Sequence, residues 1–177
     1  TADLSVTTNG DESGPVDIEY TVTLSNTNNT GSAITFEFDD LGTGSAVSGS
    51  DYTAVSGSAQ ISVADGTDAG SITISVTDDA LLETTETFNG QISNPGNSDV
   101  TINTNSTTAT IDDNDTADAT LSVTTDGDES GPTDITYSVS LDKVNYTGVP
   151  ITFDFDDLLT GTAGSGTGRP LGQPAGV

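Results

Sequence analysis

Val16-Asp17-Ile18-Glu19-Tyr20-Thr21-Val22-Thr23-Leu24 alternates apolar and polar residues along its whole length. Successive side chains of an extended chain point to opposite sides, so this stretch is a strand with one face for a core and one for water. Working outward, the same two-residue period returns in Ile34, Phe36 and Phe38, in Ile61 and Val63, and in Ile72, Ile74 and Val76. Phe88 and Ile92 follow, and Val100, Ile102, Ala109 and Ile111 close the series. Stretches rich in Gly, Asn, Asp and Ser, such as Asn26 to Gly31 and Gly42 to Ser50, separate the runs and supply turn chemistry. No window of helical length carries an apolar stripe at a 3.6-residue period. About seven short strands in roughly 115 residues predict an all-β chain folded as an immunoglobulin-like, seven-stranded β-sandwich.

The opening of this pattern occurs twice. Leu4 to Pro15 (LSVTTNGDESGP) returns as Leu121 to Pro132 (LSVTTDGDESGP), and Ile34 to Leu41 (ITFEFDDL) returns as Ile151 to Leu158 (ITFDFDDL). The offset of about 117 residues is too long for a solenoid and fits a tandem array of whole domains. The expected organisation is a complete sandwich over 1–116 and a partial second copy over 117–166 holding only three strands. An irregular tail over 167–177 follows, either a natural terminus or an appendage foreign to the protein. The second copy should offer a counterpart of Gly49-Ser50-Asp51-Tyr52 but reads Gly166-Thr167-Gly168-Arg169. Three strands cannot close a sandwich. Their apolar residues Ile135, Tyr137, Val139, Ile151, Phe153 and Phe155 predict an exposed face and self-association through it. Because the chain starts directly on a strand pattern, it is expected to be an excerpt of a longer polypeptide.

Charge is the second signal. The 177 residues carry 28 acids against two bases, and no Lys, Arg or His precedes Lys143. The acids gather in Asp78-Asp79, Glu83, Glu86, and Asp112-Asp113 with Asp115. Two carboxylates about 4 Å apart repel by roughly 4 kcal/mol at an effective dielectric near 20. With almost no protein cations to relieve that repulsion, converging clusters call for an ion from solution, and an all-oxygen donor set favours Ca²⁺. On charge alone a solvated acidic coat explains the composition equally well.

Three segments carry a family resemblance: Gly44 to Tyr52 (GSAVSGSDY), Val76 to Phe88 (VTDDALLETTETF) and Ala109 to Asp115 (ATIDDND). In this order they resemble the Calx-β domain, a module of sodium–calcium exchanger regulatory loops, an integrin subunit and large bacterial surface adhesins. The resemblance spans the whole first unit and the opening strands of the second. It implies a seven-stranded sandwich able to bind Ca²⁺ at one end through acids from separate loops. By position it assigns Glu12, Asp51, Asp78, Asp79, Glu83, Glu86, Asp112, Asp113 and Asp115 as ligands, with Leu81 as a backbone-carbonyl ligand. Asn114 interrupts the terminal acidic run but still offers an amide oxygen. Asp39 and Asp40 are read as solvated loop acids, and Tyr52 and Phe88 as core anchors.

Several function classes drop away. Without Cys or His, the usual nucleophile–base pairs are missing, and without Trp a two-carboxylate glycosidase lacks its customary sugar platform, so no enzyme is expected. A surface this negative repels nucleic-acid phosphate. No apolar run reaches membrane-spanning length, so no membrane insertion is expected. The expected role is a calcium-binding spacer in a repetitive extracellular cell-surface adhesin or fibre, its partners the neighbouring repeats of the same chain, with Ca²⁺ stiffening the junctions. Alternatives are a calcium-sensing module of a larger protein and a filament subunit completed by a neighbouring chain.

Overall fold

The computed structural model describes residues 1–131 and 133–163. The expectations placed on Gly166 to Arg169 and on the tail 167–177 lie outside the described residues. The first unit holds nine strands: β1 (Ala2–Thr8), β2 (Gly10–Asp11), β3 (Ile18–Leu24), β4 (Ile34–Asp40), β5 (Gln60–Val63), β6 (Ala69–Ile74), β7 (Glu86–Ser93), β8 (Ile102–Thr104) and β9 (Ser106–Asp112). Setting aside β2 and β8, of two and three residues, leaves seven strands, the number expected; β1 lies outside the alternating series, and Ile102, which belongs to that series, falls in the short β8.

Two sheets face each other, in the orders β6-β3-β1-β8 and β2-β9-β7-β4-β5. Their apolar faces meet in one core dominated by Tyr20, Phe36, Phe38, Phe88, Ile18, Ile61, Ile92 and Ile111, all essentially sealed from solvent. Each such side chain contributes about 1.5–3 kcal/mol by leaving water. Tyr20 packs against Phe38 and Phe88 at ring-centroid distances of 5.2 and 5.8 Å, and its buried hydroxyl donates to the Phe88 carbonyl at 3.0 Å. Tyr52 and Phe88 do anchor the core, meeting edge to face at 4.8 Å.

The N-terminal segment serves both sheets. It leaves β1, shifts register between Val6 and Thr8, and continues as β2 parallel to β9 in the opposite sheet. The crossing is tight: a Cβ on Gly10 would lie 2.8 Å from Val76 Cγ2 and 3.1 Å from both Ile111 and Ile18. Only glycine passes there without displacing core atoms, and the crossing delivers Glu12 to the sandwich end where β9 finishes. Val16 departs from the expected face. It is 42% exposed because it precedes β3, closing a turn with Asp11 through reciprocal backbone bonds of 2.6 and 3.0 Å.

The second unit begins with β10 (Ala119–Thr125) and β11 (Thr136–Leu141), paired antiparallel. Their ladder runs from Ala119↔Leu141 to Val123↔Tyr137, with a shift before Thr125, and it repeats the ladder from Ala2↔Leu24 to Val6↔Tyr20, residue for residue. The third strand expected here does not form: Ile151 to Phe155 has no ladder. Its counterpart β4 pairs with β5 and β7 in the other sheet, and no equivalent of either exists among the described residues of the second unit.

Candidate metal centre

Four chain segments converge at the sandwich end beyond β2 and β9. Glu12 follows the crossing strand, and its amide donates to the Asp112 carbonyl at 3.0 Å. Asp51 sits in the turn before Tyr52, where its Oδ2 accepts the Val47 amide at 2.5 Å. Tyr52 in turn bridges to Val76, tying this turn to the acidic loop that follows. That loop carries Asp79 and Glu83 and enters β7 at Glu86; the run after β9 carries Asp113 and Asp115.

Two triads result. Carboxylate oxygens of Glu12, Asp79 and Asp115 lie within 4.8 Å of one another, and so do those of Asp51, Glu83 and Glu86. Glu12 and Asp51 are each only 3% exposed. Glu12 Oε2 and Asp115 Oδ2 are buried without any hydrogen-bond partner. A buried polar oxygen without a donor is costly, and that cost rises steeply when the group is charged.

The electrostatics record the crowding. Burial, then repulsion from Asp79, Asp113, Glu83 and Asp51, pushes the Glu12 carboxyl up to about 7. Burial, then a hydrogen bond to Asp51 and its charge, pushes Glu86 up to about 8. Glu83 is also raised, by burial first and then by Asp51, Asp79, Asp113 and Asp115. The two triads therefore sense each other and form one negative field.

Not every expected ligand joins a triad. Asp78 is exposed and accepts the Asn114 amide at 3.2 Å. Asp112 accepts the Thr85 hydroxyl at 2.9 Å. Asp113 accepts the amides of Glu83 and Asp115, each at 2.9 Å, so it pins the acidic loop to the terminal run. Leu81 donates its amide to Asp79 Oδ1 at 2.8 Å, closing the turn that aims Asp79. These residues shape the loops around the triads. Asp40, read as a solvated acid, instead accepts the Tyr52 hydroxyl at 2.5 Å and the Gly42 amide at 2.8 Å. Asp39 stays exposed on β4.

One participant escaped the sequence reading. Lys143, from the loop after β11, forms an ion pair with Asp115 Oδ1. Its signal was its rarity, as the sole lysine in the chain.

The donor set suits a hard divalent cation. Six carboxylates in two adjoining groups, two of their oxygens buried and unpartnered, match the oxygen-only, carboxylate-rich demand of Ca²⁺. Mg²⁺ prefers to keep its waters and dispenses with cages of this kind.

The family model of the Calx-beta domain matches residues 6–115. Similar solved structures include the crystal structure of CBD12 from CALX1.2, at 21% identity and a TM-score of 0.50 over 63% of this chain and 44% of that one. The calcium binding domain CBD12 of CALX1.1 is 24% identical with a TM-score of 0.47, over 58% and 40%. The apo form of the Calx CBD1 domain is 18% identical with a TM-score of 0.45, over 64% and 98%. The chain thus spans less than half the length of the first two. No curated protein matches. With its family model covering most of the chain and the sandwich shared with CBD12 of CALX1.2, the chain belongs to the Calx-beta domain family.

Proposed function

We propose that this chain is a calcium-binding, non-enzymatic Calx-β module that serves as a spacer in a repetitive extracellular surface protein, where the ion stiffens the junction between consecutive units. The observation that carries the reading is the pair of carboxylate triads with two buried, unpartnered oxygens at the end of the first unit, where the second unit begins. Glu12, Asp79 and Asp115 would hold one ion, and Asp51, Glu83 and Glu86 a second. The ion would supply the positive charge that the first unit lacks. The repeated β1–β3 ladder in β10–β11 supports a division into a complete unit over 1–116 and the start of another from 117. No helix among the described residues is long and apolar enough to cross a membrane.

The regulatory alternative, a module that reports fluctuating calcium, differs in affinity. Calorimetric titration of the full chain with Ca²⁺ separates the two. A dissociation constant of about 0.1–1 mM fits an extracellular spacer, and one in the range of about 0.1–10 μM fits a sensor. Absence of binding at millimolar Ca²⁺ would leave only the acidic-coat explanation. A filament subunit completed by a neighbouring chain is favoured by a separate observation, the exposed apolar face of Leu121, Ile135, Tyr137, Val139 and Phe155.

A further inference from the structure

The loop after β11 does more than touch the first unit. The Leu82 amide donates to the Val144 carbonyl at 3.0 Å, and the Tyr146 amide donates to the Leu82 carbonyl at 2.8 Å. This backbone bridge joins the second unit to the middle of the acidic loop, between Asp79 and Glu83. The bridging loop is braced from within. Asn145 Oδ1 accepts the Thr147 amide at 3.0 Å and its hydroxyl at 2.6 Å, while Asn145 Nδ2 donates to the Val149 carbonyl at 2.9 Å. Lys143 leaves this braced loop and reaches Asp115, whose side chain is only 10% exposed, while its own is 28% exposed. Asp115 thus presents Oδ1 to an ammonium group and keeps Oδ2 buried and unpartnered.

We propose that Lys143 is a tethered resident cation of the acid cluster, so that its ion pair with Asp115 and divalent-ion binding at the Glu12–Asp79–Asp115 triad oppose each other. The second unit then sets the metal affinity of the first. An ammonium brings one charge and a few N–H donors on a flexible stem, whereas a divalent ion brings two charges and accepts several oxygens at once. Loading the triad therefore forces Lys143 to leave Asp115 or to stay beside a like charge. The equivalent residue of the first unit is Asn26, which carries no charge, so the cation is not part of the repeated pattern. In the metal-free chain, the backbone bridge at Leu82 keeps Lys143 in reach.

This inference rests on the calcium reading, and the test tells the two apart. Calcium titration of the full chain is compared with Lys143→Met, Lys143→Gln and Lys143→Arg. Removing the charge should tighten Ca²⁺ binding about tenfold in both neutral variants, while Lys143→Arg stays near the parent value. Hydrogen exchange gives a readout independent of the ion. In chelator, the Leu82 and Tyr146 amides should exchange faster in the neutral variants than in the parent; with saturating Ca²⁺ the difference should vanish. Unchanged or weaker Ca²⁺ affinity in the neutral variants, with binding intact in the parent, overturns the proposal and leaves the calcium reading standing. No binding in any of the four chains overturns the calcium reading, and the proposal with it.

Discussion

Tyr20 and Tyr137 hold the same place in the same ladder register, yet Tyr20 is sealed while Tyr137 is 46% exposed. Phe38 is buried against Tyr20 at 5.2 Å, and its counterpart Phe155 sits 4.9 Å from Tyr137 but is 62% exposed. The two units therefore share their local structure and even their aromatic pair, and differ in what covers it. Strand pairing between β1 and β3 is encoded in the segments that pair. Burial, and the acid cluster that depends on loops beyond β5, needs the other half of the sandwich.

The largest effect should separate the two phenylalanines. Phe38→Ala opens a cavity between Tyr20 and the facing sheet and should cost about 3–5 kcal/mol, enough to unfold much of a domain of ordinary stability. Phe155→Ala removes a largely solvated ring and should leave the main unfolding transition within about 0.5 kcal/mol of the parent. Denaturant melts of both variants, in saturating calcium, are the check. Comparable losses would mean that the second hairpin is packed into a core of its own.

Next come the paired glutamates. Glu12 and Glu129 open the same Glu-Ser-Gly-Pro stretch, but only Glu12 lies among the acids of a metal loop. An ion held a hundredfold above its dissociation constant adds about 2.7 kcal/mol to the stability of the folded state. Glu12→Gln should abolish most of that gain, and Glu129→Gln should leave it intact. Melting temperatures with calcium and with chelator measure both. An equal response from the two variants would replace the defined site by diffuse charge.

Much of this contrast was legible in the residues, and the rest was not for physical reasons. Alternation located six of the seven principal strands, all but β1, because the two-residue period is local. It misassigned Val16, where a turn pairing with Asp11 overrides the pattern. It also credited Ile151 to Phe155 with a strand, since the pattern cannot say whether a ladder partner exists. Among the acids, residue type picked out the cluster but not which carboxylates come together in the two triads. Asp113 and Asp79 look alike in sequence, yet one spends its oxygens on the Glu83 and Asp115 amides and the other faces a triad. Lys143 could not be placed without knowing that its loop docks at Leu82.

A smaller effect concerns pH in the absence of divalent ions. Glu12, Glu83 and Glu86 all have folded-state values raised above the unfolded 4.5, to about 7 for Glu12 and about 8 for Glu86. Between those limits the folded chain binds more protons than the unfolded chain, so stability falls as pH rises. In chelator the first unit should therefore melt at a higher temperature near pH 5 than near pH 8. Saturating calcium should flatten or reverse that slope, because the ion requires the deprotonated carboxylates. A chelated chain more stable at the higher pH would mean that the three glutamates are not strained by burial and mutual repulsion.

The smallest difference lies in a motif that both units keep. Asn28 and Asn145 each accept the amide and hydroxyl of the threonine two residues on, and each donates to a carbonyl four residues on. Asn28 makes one further bond, donating to the Val63 carbonyl of β5 at 3.1 Å, and it is buried. That bond ties the loop to a strand the second unit lacks. Asn28→Ala should therefore strand a buried carbonyl and cost about 1–3 kcal/mol. Asn145→Ala loses only loop-internal bonds near solvent and should cost less, about 0.5–1.5 kcal/mol, most of it felt at the Leu82 bridge. The comparison needs two readouts, since a global melt reports the first loss and amide exchange at Tyr146 reports the second. If Asn28→Ala melts like the parent while Asn145→Ala loosens the bridge, the buried bond to Val63 contributes nothing net. The motif would then act only within its loop, the same way in both units.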